Sequence, residues 1–171
     1  VIGIIFDIRS KVDGVVNFFN EAAEILKNCD NVYILIHQSP DGDCIGSGTA
    51  LYHVLRYMGK RARVVCSDEI PKRYAFMQEG YTDEEFTPEF IIASDVADIK
   101  LLGRYSEIYG DRVDLCIDHH ISNTGYAAKT LVRPDASAAC EVVYELIKIL
   151  GIPADEHITT CIYTGIATDT G

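Results

Sequence analysis

Apolar and polar positions along the first third of the chain predict a helix, a strand and a second helix. Residues 15–28 read as a surface helix, and the continuous apolar run at 32–36 is typical of a strand buried in a parallel sheet. Residues 45–58 predict the second helix, which Gly59 ends. Small residues in that helix would let it pack closely on the sheet: Gly46, Gly48 and Ala50.

The same alternation continues to the end of the sequence. Three further short strands are predicted: residues 63–66, 90–94 and 113–117. Residues 139–150 keep helical spacing, and a last helix around 158–166 would carry Asp169 at its C-terminal end. Strands and helices in turn predict an α/β domain, a mostly parallel β-sheet flanked by helices on both faces.

The composition of the chain narrows the class of protein and its cellular location. With 171 residues and 48% hydrophobic content the chain can bury a full core. It has no apolar run of about 18 residues, so we expect no membrane association and a cytoplasmic protein. Six scattered cysteines without a CxxC pair indicate reduced, buried thiols rather than disulfides or a thiolate metal site. The net charge of −11 argues against a broad nucleic-acid-binding face.

The stretch SPDGDCIGS, residues 39–47, places two like charges beside each other directly after the first strand. Asp41 and Asp43 repel each other, and His37 lies four residues before Asp41. Such an arrangement is costly unless a cation lies between the carboxylates. The rest of the chain therefore has to be searched for the other ligands of that cation.

Polar groups follow three predicted strands at the point where each strand ends. His37 follows the first strand, Asp95 follows 90–94, and the triplet 118–120 follows 113–117. Each alone has an ordinary explanation as a turn, a helix cap or a solvated loop. Open α/β sheets build their sites at the carboxyl ends of strands, so the three together predict a metal site.

The chemistry of these groups narrows the metal. Carboxylates and imidazoles without thiolates suit Mn²⁺, Mg²⁺, Fe²⁺ or Zn²⁺. Four carboxylates carry a charge that two divalent ions would neutralise: Asp41, Asp43, Asp95 and Asp169. Two ions about 3.5–4 Å apart are the usual apparatus for displacement at phosphorus. Asp98 competes with Asp95 as a ligand, although Asp95 directly follows the strand.

Four segments carry a family resemblance. They are HQSPDGDCIGS at 37–47, IIASD at 91–95, CIDHH at 116–120 and TGIATDTG at 164–171. In this order they resemble the N-terminal motifs of the DHH phosphoesterase superfamily. With DASAA at 135–139 and the helix EVVYELI after it, they most resemble the DHH/DHHA1 branch of bacterial oligoribonucleases (nanoRNases) that also act as 3′-phosphoadenosine 5′-phosphate phosphatases.

The resemblance implies two Mn²⁺ ions, with Mg²⁺, Co²⁺ or Fe²⁺ as alternatives. Their implied ligands are His37 and Asp41 for one ion, Asp43, His119 and Asp169 for the other, and Asp95 as the bridge. His120 would be catalytic and face the substrate phosphate, and Asp118 would orient a histidine through its ring N–H. Ser137 is first a helix cap and only then a candidate for substrate binding.

The implied function is hydrolysis of short oligoribonucleotides to mononucleotides, of 3′-phosphoadenosine 5′-phosphate to AMP, or of both. A cyclic-dinucleotide phosphodiesterase, a family II-like inorganic pyrophosphatase and a non-catalytic metal-binding regulatory module remain as alternatives. The partner would be a short RNA or a nucleotide, and a homodimer stays open. The intact set of aspartates favours an enzyme over the regulatory module.

The resemblance also implies a division of the chain. Residues 15–171 would form the DHH catalytic domain, and residues 1–14 a leader of uncertain structure, either an extra edge strand or a disordered segment. Members of this branch continue into a DHHA1 domain with a basic, glycine-rich signature that this sequence does not contain. We therefore expect a C-terminal substrate-binding domain to be missing from this chain.

Overall fold

A computed structural model describes the backbone of residues 8–171 and the side chains of residues 18–171. This part of the chain forms five α-helices and five β-strands, with short 3₁₀ turns between them. The helices are α1 (Ile8–Asn28), α2 (Gly42–Tyr57), α3 (Tyr105–Tyr109), α4 (Ala139–Leu150) and α5 (Glu156–Thr170). The strands are β1 (Val32–Leu35), β2 (Ala62–Val65), β3 (Phe90–Ser94), β4 (Leu115–Asp118) and β5 (Lys129–Val132).

The five strands form one parallel sheet in the order β2-β1-β3-β4-β5. Side chains alternate between its faces, so Val32 and Ile34 join the core beneath α1, α2, α4 and α5. Tyr33 and Leu35 join a smaller core on the other face, which is closed by α3 and the 3₁₀ turn Ile99–Leu102. The predicted α/β fold is confirmed, with the long helices gathered on one face.

Several boundaries differ from the prediction. Helix α1 begins at Ile8, inside the segment predicted as a leader, and residues 1–7 of that segment lie outside the described residues. Helix α2 begins at Gly42 because Asp41 is its N-cap and accepts the backbone N–H groups of Asp43 and Cys44. Strand β5 was not predicted, since its short, half-exposed sequence shows no clear alternation.

The small residues of α2 serve two contacts rather than one. A Cβ at Gly48 would lie 2.7 Å from Ile36, so this glycine does allow close approach to the sheet side. A Cβ at Gly46 would lie 2.5 Å from the carbonyl oxygen of Cys161, which is on α5. The prediction that Gly46 packs on the sheet is therefore wrong, because this glycine faces a neighbouring helix.

Two further observations concern the environment of the fold. No helix among the described residues is long and apolar enough to cross a membrane. All six cysteines are free, and five of them are buried.

Candidate metal centre

The carboxyl edge of the sheet collects every polar cluster that the sequence analysis singled out. His37 follows β1, Asp95 follows β3, and β4 leads directly into His119 and His120. The N-terminus of α2 and the C-terminal end of α5 add Asp41, Asp43 and Asp169 to the same edge. Parallel strands end at the same edge of the sheet, and a crossover helix such as α2 begins at that edge and carries the chain back to the opposite one.

The first group of ligand atoms, here called site 1, comes from His37, Asp41 and Asp95. His37 Nε2 lies 3.7 Å from Asp41 Oδ2 and 3.7 Å from Asp95 Oδ2. Its other ring nitrogen, Nδ1, lies 2.7 Å from the carbonyl oxygen of Gln38. An Nδ1–H donated to that carbonyl leaves the Nε2 lone pair directed at the two carboxylates, as in metal-ligating histidines.

The second group, site 2, comes from Asp43, His119 and Asp169. His119 Nε2 lies 3.3 Å from Asp169 Oδ2 and 3.8 Å from Asp43 Oδ2. His119 Nδ1 faces the carbonyl oxygen of Ala136 at 3.4 Å, so this ring is oriented in the same way as His37. The two sites therefore have equivalent imidazole arrangements.

Asp95 lies between the two sites. Its Oδ2 faces His37, and its Oδ1 lies 3.7 Å from His119 Nε2. The residue has a φ of 59°, a left-handed conformation that aspartate and asparagine tolerate better than most residues. Backbone conformations of this kind cluster at functional sites, where the surrounding structure maintains them.

Two buried polar atoms in the centre have no hydrogen-bond partner: Asp95 Oδ1 and His119 Nε2. Such atoms are costly in a folded protein unless a ligand or ion satisfies them. Both are good donors to a divalent cation, and they face each other. The residues present therefore fit a metal centre.

The electrostatics of the site favour a cation as well. Burial, together with the charge of Asp43, raises the pKa of Asp95 to about 6 and also raises the pKa of Asp169. Burial lowers the pKa of His37, but its contacts with Asp41 and Asp95 outweigh burial and raise it overall. The carboxylates thus favour positive charge at this edge, which protons on Asp95 and His37 supply in the absence of a metal. A bound cation would take the place of these protons.

Asp43 is fully buried and is held by a different helix. Its Oδ2 accepts the backbone N–H of Ala139 at 2.6 Å, and its Oδ1 accepts that of Cys140 at 2.9 Å. These N–H groups belong to the first turn of α4, where they lack partners within the helix. The side chain of Ala138, the N-cap of α4, cannot cap it, so Asp43 does so from the neighbouring helix α2.

Asp118 orients the second histidine of the DHH triplet. Its Oδ1 lies 2.8 Å from His120 Nδ1 and also accepts the backbone N–H groups of His119 and His120. Burial lowers the pKa of His120, but the contact with Asp118 outweighs burial and raises it. His120 is 44% exposed and, with Leu101, lines a cavity of about 190 Å³ that also contains ligands of both sites.

Two neighbours of this centre were missed by the sequence analysis. Asn123 Nδ2 donates to Asp118 Oδ2 at 2.6 Å, and the only available signal was its place five residues after Asp118 in the D-H-H-I-S-N segment. The Sγ of Cys44 belongs to the group of ligand atoms at site 1. Its apolar sequence context had suggested an ordinary core thiol.

Other candidates lie outside the two ligand groups. Asp98 caps the turn Ile99–Leu102 by accepting the backbone N–H of Lys100, so its carboxylate is used locally. Ser137 precedes the N-cap of α4 and donates its hydroxyl to Glu141 at 2.7 Å. The prediction that Ser137 caps the helix is wrong, because the Glu141 carboxylate reaches back to the Ser137 backbone N–H instead.

Comparisons with known proteins identify the family of this chain. The family model described as the DHH family, N-terminal domain, matches residues 31–166. The bifunctional oligoribonuclease and PAP phosphatase NrnA of Thermus thermophilus is 35% identical over 156 residues, which are 87% of this chain and 46% of that protein. The NrnA of Bacillus subtilis is 27% identical over 147 residues, which are 83% of this chain and 47% of that protein.

A solved structure has the same fold over nearly the whole chain. An exopolyphosphatase-related protein from Bacteroides fragilis superposes with a TM-score of 0.80 at 28% identity, covering 91% of this chain and 50% of that one. The chain thus spans about half the length of the relatives it matches.

Proposed function

The chain belongs to the DHH family, and we propose that it is the catalytic domain of a metal-dependent phosphoesterase acting on short oligoribonucleotides and on 3′-phosphoadenosine 5′-phosphate. The observation that carries the proposal is the position of Asp95 between two groups of ligand atoms. Similarity to proteins named oligoribonuclease and PAP phosphatase supports the substrate class.

Two divalent ions would occupy the centre. His37 and Asp41 would hold one ion, Asp43, His119 and Asp169 the other, and Asp95 would contact both. Bound ions would polarise a phosphoryl oxygen and lower the pKa of a coordinated water. Mn²⁺ is the proposed ion because the resemblance to the DHH family implies it, and carboxylate and imidazole ligands are compatible with it.

The chain's own residues would bind and orient the phosphate. The half-exposed ring of His120 faces the cavity and would donate a hydrogen bond from Nε2 to a phosphoryl or leaving oxygen. Asp118 accepts a hydrogen bond from Nδ1–H, which fixes the orientation of the ring and stabilises its positive charge. Asp118 itself is fully buried and satisfied by four donors, so it has no free oxygen for substrate.

The remaining parts of the proposal concern what surrounds this domain. We infer that a C-terminal substrate-binding domain lies outside this chain. The inference is supported by the relatives, because the chain matches only about half of the length of each. The net charge of −11 agrees, since it leaves a polyanionic substrate few binding contacts here. Free cysteines favour a reducing compartment such as the cytoplasm.

Incubation of the full-length protein with Mn²⁺ and a substrate panel tests the proposal. The panel contains 3′-phosphoadenosine 5′-phosphate, di- to pentaribonucleotides, cyclic di-AMP and pyrophosphate. We expect release of AMP and of mononucleotides from the first two. Preferred turnover of cyclic di-AMP or pyrophosphate would support one of the alternative enzymes, and metal binding without any turnover would support a regulatory module.

A further inference from the structure

The buried thiol of Cys44 lies within reach of the ligand atoms of site 1. Its Sγ and one ligand atom each from His37, Asp41 and Asp95 all lie within 4.8 Å of one another. Cys44 is fully buried, yet these neighbours are an imidazole and two carboxylates. Cys44 is also part of the buried core, so its sulfur lies where that core meets site 1.

Helix geometry explains how the sulfur reaches site 1. Asp41 is the N-cap of α2 and Cys44 lies three residues later, so both occupy the same side of the first turn. The intervening Asp43 points elsewhere, into the first turn of α4. The segment D-G-D-C thus sends one carboxylate and one sulfur to site 1 and a single carboxylate to site 2.

The present contacts of the thiol leave it available. Its Sγ–H donates to the backbone oxygen of Asp41 at 3.7 Å, and a thiol is a weak hydrogen-bond donor. An independent sign of an ion in the centre is Asp95, which is 3% exposed: its Oδ2 faces His37 at site 1, and its Oδ1, which faces His119, has no hydrogen-bond partner. Site 2 has no comparable sulfur among its grouped atoms.

We propose that Cys44 Sγ ligates the ion of site 1 when that ion is thiophilic, so that site 1 favours Co²⁺ or Zn²⁺ over Mg²⁺ more strongly than site 2 does. The inference rests on the two-ion centre of the proposed function. Soft thiolate ligands favour Zn²⁺, whereas carboxylate and water ligands suit Mg²⁺ and Mn²⁺. The thiol releases its proton to solvent as the bond to the ion forms.

X-ray absorption on the wild-type chain loaded with one equivalent of Zn²⁺ tests the bond directly. We expect a Zn–S distance of about 2.3 Å beside the shorter Zn–N and Zn–O distances of about 2.0–2.2 Å. Co²⁺ gives a second readout, because a Co–S bond produces a charge-transfer band in the near ultraviolet. We expect that band with the first equivalent of Co²⁺, and we expect excess Mg²⁺ to leave it in place.

Two variants assign the signal to one thiol. Cys44→Ser should lose the Co²⁺ charge-transfer band. Cys66→Ser is the matched control, because this second thiol is also close to the centre. It should keep the band, since Cys66 Sγ donates to the backbone oxygen of His37 at 3.2 Å and is not among the ligand atoms of site 1. Cys44→Ala replaces the first variant if that one does not fold, and the wild-type X-ray measurement needs no variant.

The outcomes separate this inference from the proposed function. Bound Zn²⁺ and Co²⁺ without sulfur in the coordination shell, or a band that persists in Cys44→Ser, would overturn the role of Cys44 and leave the two-ion centre standing. A chain that binds neither ion in equilibrium dialysis would overturn both.

Discussion

Asp43 Oδ1 accepts the backbone N–H of Cys140 at 2.9 Å, which joins the first turn of α2 to the first turn of α4. The two residues are 97 positions apart in sequence, and Asp43 is also one of the candidate metal ligands of site 2. One carboxylate therefore serves both as a helix cap and as a candidate metal ligand. Packing around α4 and the geometry of site 2 are consequently linked.

Substitution Gly165→Ala tests that link. A Cβ at Gly165 would collide with Cys140 Sγ and lie 2.9 Å from Asp43 Oδ1. Overpacking of a close contact costs about 1–3 kcal/mol, so we expect a lower free energy of unfolding and weaker Mn²⁺ binding. Urea titration and equilibrium dialysis measure the two effects.

The double variant Gly165→Ala/Cys140→Ala is the matched control. Removing Sγ relieves the collision, so the double variant should be destabilised by less than the sum of the two single variants. Strict additivity would show that the collision with Cys140 is not what destabilises Gly165→Ala.

Substitution Asp95→Asn should abolish hydrolysis and reduce the number of bound ions while the fold is retained. Asparagine tolerates the left-handed backbone at this position, which alanine would strain. The change therefore removes the charge shared by both sites without a backbone penalty. Metal analysis and circular dichroism provide the measurements.

Asp98→Asn is the matched control, because this aspartate follows the same strand but caps the turn Ile99–Leu102. It should keep both ions and normal turnover. If Asp98→Asn loses an ion while Asp95→Asn retains two, the assignment of the bridging carboxylate is incorrect.

The strand ends were predictable, whereas the contacts between distant segments were not. His37, Asp95 and the triplet 118–120 each follow an apolar run, and a parallel sheet necessarily brings such ends to one edge. The match to the family motifs then supplied the expected ligand groups. Both steps use information that lies within short stretches of sequence.

Other features depend on packing that no local pattern encodes. The contact between Asp43 and α4 joins residues almost a hundred positions apart, and Asn123 reaches Asp118 only after the loop beyond His120 has turned. Cys44 read as an apolar residue because its neighbours at site 1 come from other elements. Strand β5 pairs with β4 at the sheet edge without a clear alternation of its own.

Chelation should lower the melting temperature, and Mn²⁺ should restore it. Without cations the four aspartates of the centre repel one another across short distances. An ion present at about 100 times its Kd stabilises a folded protein by about 2.7 kcal/mol, which for a chain of this length corresponds to about 5–11 °C. Calorimetry with EDTA and then with excess Mn²⁺ checks this. An unchanged melting curve would contradict the metal centre.

The chelated protein should also lose stability as the pH rises from about 4 to about 6. The pKa of Asp95 is about 6 in the folded chain, whereas an ordinary aspartate, as in the unfolded chain, has a pKa of 3.8. Between these two values the folded state binds more protons than the unfolded state. The free energy of unfolding then falls by at most about 1.4 kcal/mol per pH unit from this group.

Comparison with Asp95→Asn isolates that contribution. The raised pKa of His37 changes the free energy of unfolding mainly above pH 6.5, the ordinary pKa of histidine. The pKa of Asp41 is lowered to about 2, so this group changes the free energy of unfolding below pH 3.8. Neither dominates between pH 4 and pH 6. In chelated samples the wild type should therefore lose more stability across this window than Asp95→Asn, and parallel pH curves for the two proteins would contradict the shift.

Asn123 should act on catalysis through Asp118 and His120. Its amide donates to the Asp118 oxygen that the histidine does not use, so the carboxylate is held from both sides. Removing the partner of a ligand-orienting group typically costs about 10–100-fold in activity. We expect Asn123→Ala to lower kcat by a similar factor with little change in KM, while Asn28→Ala, which loses a surface amide on α1, should behave like the wild type.

A third variant distinguishes positioning from a general loss of structure. Asn123→Asp would place a second carboxylate beside Asp118 Oδ2, where the Asn123 amide nitrogen lies at 2.6 Å, and such a pair retains one shared proton more readily as the pH falls. A protonated carboxyl group at position 123 can donate to Asp118 Oδ2 as the amide does. The activity of Asn123→Asp relative to the wild type should therefore recover toward lower pH, while that of Asn123→Ala should stay constant. Equal pH profiles for the two variants would show that Asn123 merely supports the loop after His120.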